Sequence, residues 1–414
     1  MTTRFWHPFA DMAVAAGDEL VLDRGEGVWL WDEAGNRYLD STAALWYCNV
    51  GHGRSELAAA ASAQMTRLAA CSNFDRLANR RALDLAERVA ARAPMKDAVV
   101  FFTSGGSESV DTAAKMVRRY WAVTGKPERQ TIVVREHAYH GMAGYGTSLA
   151  GIPGNYSGFG ELVPGVVRVP ADDLKALRQV FEEGEGRIAA FFGEPVIGAG
   201  GVRPPAEGYW KAVADLCRRS DVLLVVDEVV TGFGRLGEWF ASTRYGIEPD
   251  LVTGAKGVTS GYVPLGVVIC GPRIQEPFWR GNAGLFRHGY TYSGHPTACA
   301  VGLANLDILE REALVDRVRT LEPVLAREVG RLRSHPAVAE VRAAGLLAGV
   351  ELSPERLQSA GYLDRVVKEA GRRGVLTRAL VGKALQISPP FVITEDQIRG
   401  LVDTLSAAFD AASS

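Results

Sequence analysis

Residues 222–228 read Val222-Leu-Leu-Val-Val-Asp227-Glu228, an apolar run that ends in two acids. A short apolar run without polar alternation is typical of a strand buried on both faces of a parallel sheet. An acid directly after such a strand lies at the edge where open α/β sheets bind ligands. A buried carboxylate there needs a cationic partner, because its desolvation is costly. The alternative is an acid that caps the next element.

Similar runs occur upstream and alternate with helical periodicity. They comprise residues 99–102, 131–134 and 188–192. Between the first two, the apolar side chains follow the i, i+3, i+4, i+7 spacing of an amphipathic helix, as at Val110, Ala113, Ala114, Val117 and Trp121. This alternation over about residues 50–295 predicts an α/β fold built on a mostly parallel sheet.

The two ends of the chain have a different pattern. Residues 27–32 and 36–40 resemble two strands joined by a turn, and long amphipathic helices fill residues 300–334 before an α+β mixture. We expect residues 51–295 to form a large domain and residues 296–414 a small C-terminal domain. We expect residues 1–50 to be an N-terminal segment that packs with the small domain.

Composition narrows the class of protein. The 414 residues carry a net charge of −2, with 47% hydrophobic and 23% charged residues, as in a globular protein without a nucleic-acid footprint. The five cysteines are scattered, which argues against a disulfide framework or a metal site and favours a reducing cytoplasm. No signal peptide or membrane span is predicted.

Three further stretches carry residues suited to chemistry. Residues 103–108, Thr103-Ser-Gly-Gly-Ser107-Glu108, open a helix and could bind a phosphate through free amide groups, or form an ordinary N-cap turn. Lys256 follows an apolar strand between small residues, where burial would lower its pKa and make it nucleophilic; otherwise it is a loop lysine. Residues 288–296 form a polar, glycine-rich stretch with too many hydroxyl groups for a core segment. They either contribute to a site or form a plain loop before the next helix.

Residues 232–237, Gly-Phe-Gly-Arg-Leu-Gly, match the glycine spacing of a dinucleotide-binding loop. The context is wrong, because the acids Asp227 and Glu228 precede the glycines and no clear helix start follows them. The hypothesis of a nicotinamide-dependent oxidoreductase is therefore supported by this motif alone.

A phosphate site, a Schiff-base lysine and a carboxylate for a ring nitrogen are what pyridoxal phosphate requires. With these features the sequence resembles the class III aminotransferases of fold type I, whose motifs it matches in order. The matching residues are 27–32, 45–46, 51–52, 104–108, 139–141, 194–200, 227–235, Lys256 and 291–296.

The resemblance implies a role for each matched residue. Lys256 corresponds to the lysine that binds the cofactor and moves the proton, and Asp227 to the carboxylate on the ring nitrogen. The remaining cofactor-binding positions are the phosphate loop Gly106 and Ser107, the ring-stacking Tyr139, Val229 on the other ring face, and Tyr290 and Thr291 from a neighbouring subunit. The resemblance thus implies pyridoxal 5'-phosphate and a homodimer or a higher homo-oligomer.

Substrate residues follow from the same resemblance. Arg378 looks like the arginine that binds the substrate carboxylate in pyruvate-using ω-transaminases, and Trp46 resembles the aromatic wall of their pocket. Phe74 either adds to that wall or lies in the core, which we favour. The predicted activity is transfer of an amino group from an amine or ω-amino acid to a keto acid such as pyruvate.

Other activities stay open at this point. Residues 5–9, Phe-Trp-His-Pro-Phe, resemble the opening of the diaminopelargonate synthases of biotin synthesis, although Phe9 and residues 45–47 depart from that pattern. Decarboxylase, racemase or aminomutase chemistry fits the same scaffold. A non-catalytic binding protein would require an idle Lys256.

Overall fold

The computed structural model describes residues 3–359 and 361–413. Its strands form three sheets. In chain order they are β1 (Leu22–Glu26), β2 (Trp29–Asp32), β3 (Arg37–Asp40), β4 (Val99–Thr103), β5 (Thr131–Arg135), β6 (Val166–Val169), β7 (Ile188–Gly193), β8 (Leu223–Asp227), β9 (Leu251–Gly254), β10 (Gly266–Cys270), β11 (Val338–Ala344), β12 (Leu347–Leu352), β13 (Val375–Leu376), β14 (Ala379–Leu380) and β15 (Ala384–Ile387).

Helices surround these sheets. They are α1 (Met12–Ala15), α2 (Ala43–Trp46), α3 (Ser55–Leu68), α4 (Arg80–Ala90), α5 (Gly106–Val123), α6 (Gly144–Leu149), α7 (Leu174–Glu183), α8 (Tyr209–Arg219), α9 (Ala241–Arg244), α10 (Pro272–Trp279), α11 (Pro296–Arg311), α12 (Leu314–Gly330), α13 (Pro354–Leu357), α14 (Tyr362–Arg372) and α15 (Glu395–Ser413). Short 3₁₀ helices occur at Pro153–Asn155, Lys256–Val258 and Arg331–Ser334.

The central sheet has seven strands in the order β4-β10-β9-β8-β7-β5-β6. Strand β10 is antiparallel to both neighbours, and the other pairings are parallel. Every residue of β7 and β8 is buried, as expected for apolar strands covered by helices on both faces. The predicted α/β fold with a mostly parallel sheet is confirmed.

The chain ends meet in a second sheet. Strand β3 pairs in parallel with β13, with Leu39 opposite Val375. The N-terminal hairpin of β2 and β3 and the C-terminal strand β13 therefore belong to one sheet. The third sheet, β11-β12-β15-β14, is C-terminal throughout. Helix α11 packs against α3 and α4, so its contacts are with the region that we assigned to the large domain. The domain boundaries themselves stay predictions.

The glycine motif at residues 232–237 lies in turns, and the next helix begins only at Ala241. Gly234 has a φ of +105°, and a Cβ there would lie 2.9 Å from Phe391. The glycines thus permit tight turns and close packing rather than open a helix for a dinucleotide. Within the described residues, no helix combines the length and apolarity that crossing a bilayer requires.

Candidate active site

A cleft with a cavity volume of about 130 Å³ opens where β4, β8 and β9 end. Six of the residues proposed from the sequence line it, together with neighbours that were assigned no role. The predicted residues are Gly106, Ser107, Tyr139, Asp227, Val229 and Lys256. The others are Val110, His140, Gly141, Glu194 and Val230. Residues far apart in sequence meet here because the carboxyl ends of the parallel strands lie at one edge.

The start of α5 forms one wall of the cleft. Its N-cap, Gly105, provides no side-chain hydrogen bond, so the first amide groups of this 18-residue helix have no capping side chain. A Cβ on Gly106 would lie 2.9 Å from Val229 Cγ1, and a Cβ on Gly141 would lie 2.5 Å from Ser107 Oγ. Backbone amides and the helix dipole therefore form a concave site suited to an anion.

Asp227 lies at the end of β8 and is buried. Its Oδ2 lies 2.7 Å from His140 Nδ1, and its Oδ1 accepts hydrogen bonds from Thr253 Oγ1 and the Val229 amide, both at 3.0 Å. These three donors fix the orientation of the carboxylate and compensate for its burial.

The adjacent acid, Glu228, points elsewhere. Its oxygens accept hydrogen bonds from the amides of Ala241 and Ser242 and from the hydroxyls of Thr231 and Ser242. The capping interpretation thus applies to Glu228, whereas Asp227 faces the cleft.

His140 is the main cleft residue that the sequence analysis left without a role. It is buried, its ring packs edge-on against Phe192, and its Nε2 has no hydrogen-bond partner. The other ring nitrogen, Nδ1, faces the Asp227 carboxylate, which can only accept a hydrogen bond. We therefore assign the ring proton to Nδ1, which donates a hydrogen bond to Asp227. The only sequence signal for His140 was its place in the motif Tyr139-His140-Gly141. That motif does not show that the imidazole contacts Asp227 at the end of β8.

Lys256 follows β9 and starts a 3₁₀ helix with a φ of 42°. Burial lowers its pKa to about 8, although the carboxylates of Asp227 and Glu194 oppose the shift. At neutral pH a larger fraction of this amine than of an ordinary lysine is therefore unprotonated and nucleophilic.

Tyr139 and Glu194 form the opposite side of the cleft. Glu194 is buried, and its oxygens accept hydrogen bonds from the amides of Tyr139 at 3.0 Å and Gly198 at 2.9 Å. Burial raises the pKa of Glu194, with His140 opposing that shift. Glu194 thus anchors the backbone that carries the Tyr139 ring, a role that its sequence motif did not reveal.

The predicted substrate residues are placed differently from one another. Arg378 is half-buried and lies close enough to Tyr139 for the two groups to influence each other's pKa. Trp46 is buried in an apolar cluster with Val196 and Leu380 and does not line the cleft around Lys256. Phe74 is 53% exposed, so the prediction that it lies in the core is wrong.

Tyr290 and Thr291 lie outside this cleft. The Tyr290 hydroxyl donates to the carbonyl of Glu108 at 3.2 Å, on the first turn of its own α5, while Thr291 is exposed. The described chain by itself does not bring Thr291 to the anion site. Its proposed contribution from a neighbouring subunit stays a prediction.

The cleft has the parts that pyridoxal phosphate needs. A helix start without a capping side chain, a lysine with a lowered pKa and a buried carboxylate with three donors line the same cleft. At Gly106 and Gly141 the backbone approaches Val229 and Ser107 more closely than a Cβ would permit. The residues present therefore fit this cofactor.

Known proteins resemble this chain over nearly its whole length. The family model for aminotransferase class-III matches residues 12–409. A putrescine–pyruvate aminotransferase of Pseudomonas aeruginosa is 38% identical over 94% of this chain and 90% of its own length. A probable aminotransferase of Mycobacterium tuberculosis is 39% identical over 94% of this chain and 89% of its own length.

Two solved structures have the same fold. An (S)-enantioselective ω-transaminase from Thermomicrobium roseum superposes with a TM-score of 0.93 at 40% identity, over 99% of this chain and 96% of that one. An amine transaminase from an uncultivated Pseudomonas species, in its PLP-bound form, gives a TM-score of 0.92 at 37% identity over 99% of both chains.

Proposed function

The chain belongs to the class III aminotransferases, and from this premise we propose that it transfers an amino group from an amine or ω-amino acid to a keto acid such as pyruvate. The proposed cofactor is pyridoxal 5'-phosphate. When bound, this group supplies an aldehyde for the amine and a ring that accepts the electrons of a breaking C–H bond.

The residues of the cleft have separate tasks in this proposal. The ε-amino group of Lys256 would hold the cofactor through its aldehyde, and its lowered pKa would allow it to accept and return a proton at the reacting carbon. Asp227, held by His140, Thr253 and Val229, would supply the negative charge that pairs with the ring nitrogen. The amide groups at the start of α5 would hold the phosphate.

The observation that carries the choice of acceptor is the environment of Arg378. No salt bridge neutralises its guanidinium within the described part of the chain, and burial lowers its pKa, with Tyr139 opposing the shift. A half-buried cation without a counter-ion beside the cleft favours a substrate with a carboxylate, which a guanidinium binds in bidentate fashion. Pyruvate is such a substrate, and it is part of the name of the Pseudomonas aeruginosa relative.

The proposal also covers assembly. We infer a homodimer or higher homo-oligomer in which Thr291 of one copy completes the phosphate site of the other. Exposed Phe74, Leu77 and Tyr292, on loops held together by hydrogen bonds from Asn73 and Asn79 to Ser293 and Gly294, support an apolar contact with a second copy.

The test replaces Arg378 by Ala and measures steady-state kinetics with an arylalkylamine and pyruvate. We expect KM for pyruvate to rise by about tenfold or more, the equivalent of one charge-assisted hydrogen bond, with a much smaller change for the amine. Arg378→Lys is the matched control, because it keeps the charge and loses only the planar fork. Equal effects on both substrates would contradict the role of Arg378.

A second measurement tests the activity itself. The wild-type enzyme is mixed with single amines while the cofactor absorbance is followed, so that each half-reaction is seen without the other. Bleaching with amines and recovery with pyruvate is the expected result. Conversion with adenosylmethionine as the donor, and not with alanine or amines, would instead indicate the diaminopelargonate synthase activity.

A further inference from the structure

Residues 42–46, Thr-Ala-Ala-Leu-Trp, adopt a backbone that is unusual for residues with a Cβ. Ala43, Ala44 and Trp46 have φ values of 47°, 56° and 70°, and Ala44 combines its φ with a ψ of −82°. No glycine eases this turn, although left-handed backbone is costly for other residues. Such strain persists only where the surroundings impose it, and it concentrates at functional sites.

Asp40 imposes the strain. This buried carboxylate accepts hydrogen bonds from the Thr42 amide at 3.0 Å and from the Ala44 amide at 2.6 Å. His52 Nε2 lies 2.8 Å from the same oxygen that binds Ala44. Two amides of the turn thus bind the same carboxylate, and His52 is hydrogen-bonded to that carboxylate as well.

His52 is itself fixed by its backbone. Its amide and carbonyl both pair with Gly27, at 2.8 Å and 3.0 Å, and Gly25 approaches its side chain so closely that a Cβ there would lie 2.8 Å from His52 Cβ. The β1–β2 hairpin therefore sets the position of the imidazole, and the imidazole sets that of Asp40.

Ser41, directly before the turn, is hydrogen-bonded to β13, which precedes Arg378. The Ser41 amide and hydroxyl both donate to the carbonyl of Leu376, at 3.1 Å and 2.6 Å, and the Ser388 amide donates to the carbonyl of Ser41 at 2.6 Å. At its other end the turn presents Leu45, which is 43% exposed, and Trp46, which is buried beside Val196 and Leu380. The turn therefore packs near the loop that carries Glu194 and the segment from β13 to β14 that carries Arg378.

We propose that Asp40 and His52 are positioning residues for substrate choice, which act by holding the 42–46 turn in its strained form and so fixing Leu45 and Trp46 relative to Arg378. This inference rests on the proposed transaminase function. Neither residue lines the cleft around Lys256, so we expect cofactor attachment to be retained without them. A relaxed turn would shift Leu45 and Trp46 while Lys256 and Asp227 stay in place.

The experiment compares Asp40→Asn and His52→Leu with the wild-type enzyme. The readout is the ratio of kcat/KM for an arylalkylamine to that for a short unbranched diamine, both with pyruvate. We expect this ratio to change by about tenfold or more, as for a small displacement of positioning groups, while the cofactor absorbance stays unchanged. His52→Gln, whose amide can still donate to Asp40, should restore a ratio close to that of the wild type.

Asp32→Asn is the matched control. Asp32 also holds a turn, the one between β2 and β3, by accepting hydrogen bonds from the Asn36 amide at 2.8 Å and the Tyr38 hydroxyl at 2.9 Å. Its replacement should leave the substrate ratio unchanged. Equal losses for both amines in His52→Leu, with the ratio unmoved, would show a merely structural role and overturn the proposal.

Hydrogen exchange at the Ala44 amide gives a readout independent of catalysis. It should accelerate in His52→Leu and not in Asp32→Asn, and unchanged exchange would also overturn the proposal. Should Asp40→Asn fail to fold, His52→Leu carries the test alone. A wild-type enzyme that converts no amine would refute the proposed function, whereas the exchange measurement still reports on the turn.

Discussion

At the scale of single residues, the chemistry of the cleft depends on how the protein sets the charge of Lys256. Burial lowers the pKa of this amine to about 8, the carboxylates of Asp227 and Glu194 oppose the shift, and Arg378 adds to it. Because the pKa is lowered, the unprotonated amine becomes the major form above about pH 8 and is lost as the pH falls below that value.

The pH dependence of Lys256 reactivity follows from the directions in which burial and the neighbouring charges shift its pKa. In the cofactor-free protein, the rate of labelling of Lys256 by an amine-selective reagent should rise with a midpoint near pH 8. Asp227→Asn should move the midpoint to lower pH, because it removes a carboxylate that raises the pKa, and Arg378→Ala should move it to higher pH. Peptide mass spectrometry measures the rates, with exposed Lys211 as the internal reference. Shifts of the opposite sign would contradict this account.

Single residues also show the limit of sequence reasoning. Asp227 and Lys256 could be found because each follows an apolar strand, where chain order alone predicts a ligand-binding edge. His140 and Thr253 could not, because their contact with Asp227 joins loops and strands that are 87 and 26 residues apart in sequence. Glu194 was visible within a motif, but only the fold shows that it holds the Tyr139 amide.

At the scale of elements, α5 and β8 must approach each other closely. Gly106 at the helix start faces Val229 just beyond the strand, and a Cβ at position 106 would lie 2.9 Å from Val229 Cγ1. That contact is too short, so either the helix start or the valine must move. In the sequence analysis, the glycine was explained by the close approach of its backbone to an anion. The structure adds a second reason, which is the close packing of the helix start against Val229.

Gly106→Ala should therefore weaken cofactor binding. We expect the dissociation constant of pyridoxal phosphate to rise by about tenfold, because a displacement of the helix start lengthens its hydrogen bonds to the phosphate. Val229→Ala should recover part of this loss in the double variant, as a mutant cycle would measure. Gly400→Ala, which adds a methyl group in open space on α15, should leave binding unchanged. An additive cycle would contradict the proposed contact.

At the scale of the whole molecule, the two ends of the chain are joined to the central sheet by a buried arginine. Arg235 donates to Asn49 Oδ1 and to the carbonyl of Pro389, both at 2.6 Å, and burial lowers its pKa to about 9. Its own segment is the glycine motif that superficially matches a dinucleotide loop. Periodicity predicted the elements of each part, whereas this junction depends on contacts across more than 150 residues and left no local pattern.

The proposed assembly makes a prediction that a single chain cannot satisfy. Thr291 is exposed and lies outside the cleft of its own chain, so its role at the phosphate site requires a second copy. Thr291→Ala should therefore bind pyridoxal phosphate about tenfold more weakly, the equivalent of one hydrogen bond to a charged group. Lys256→Ala should have no transaminase activity, because it lacks the amine that attacks the cofactor.

Mixing the two variants separates a contribution from the neighbouring subunit from one within the same chain. In a mixed dimer, the subunit with Thr291→Ala keeps its Lys256 and faces an intact Thr291 from its partner, which gives one complete site. Activity at limiting cofactor should therefore rise after the two proteins are unfolded and refolded together, and not after they are refolded separately and mixed. If Thr291 acted within its own chain, no mixed dimer would contain a complete site, and joint refolding would give no gain.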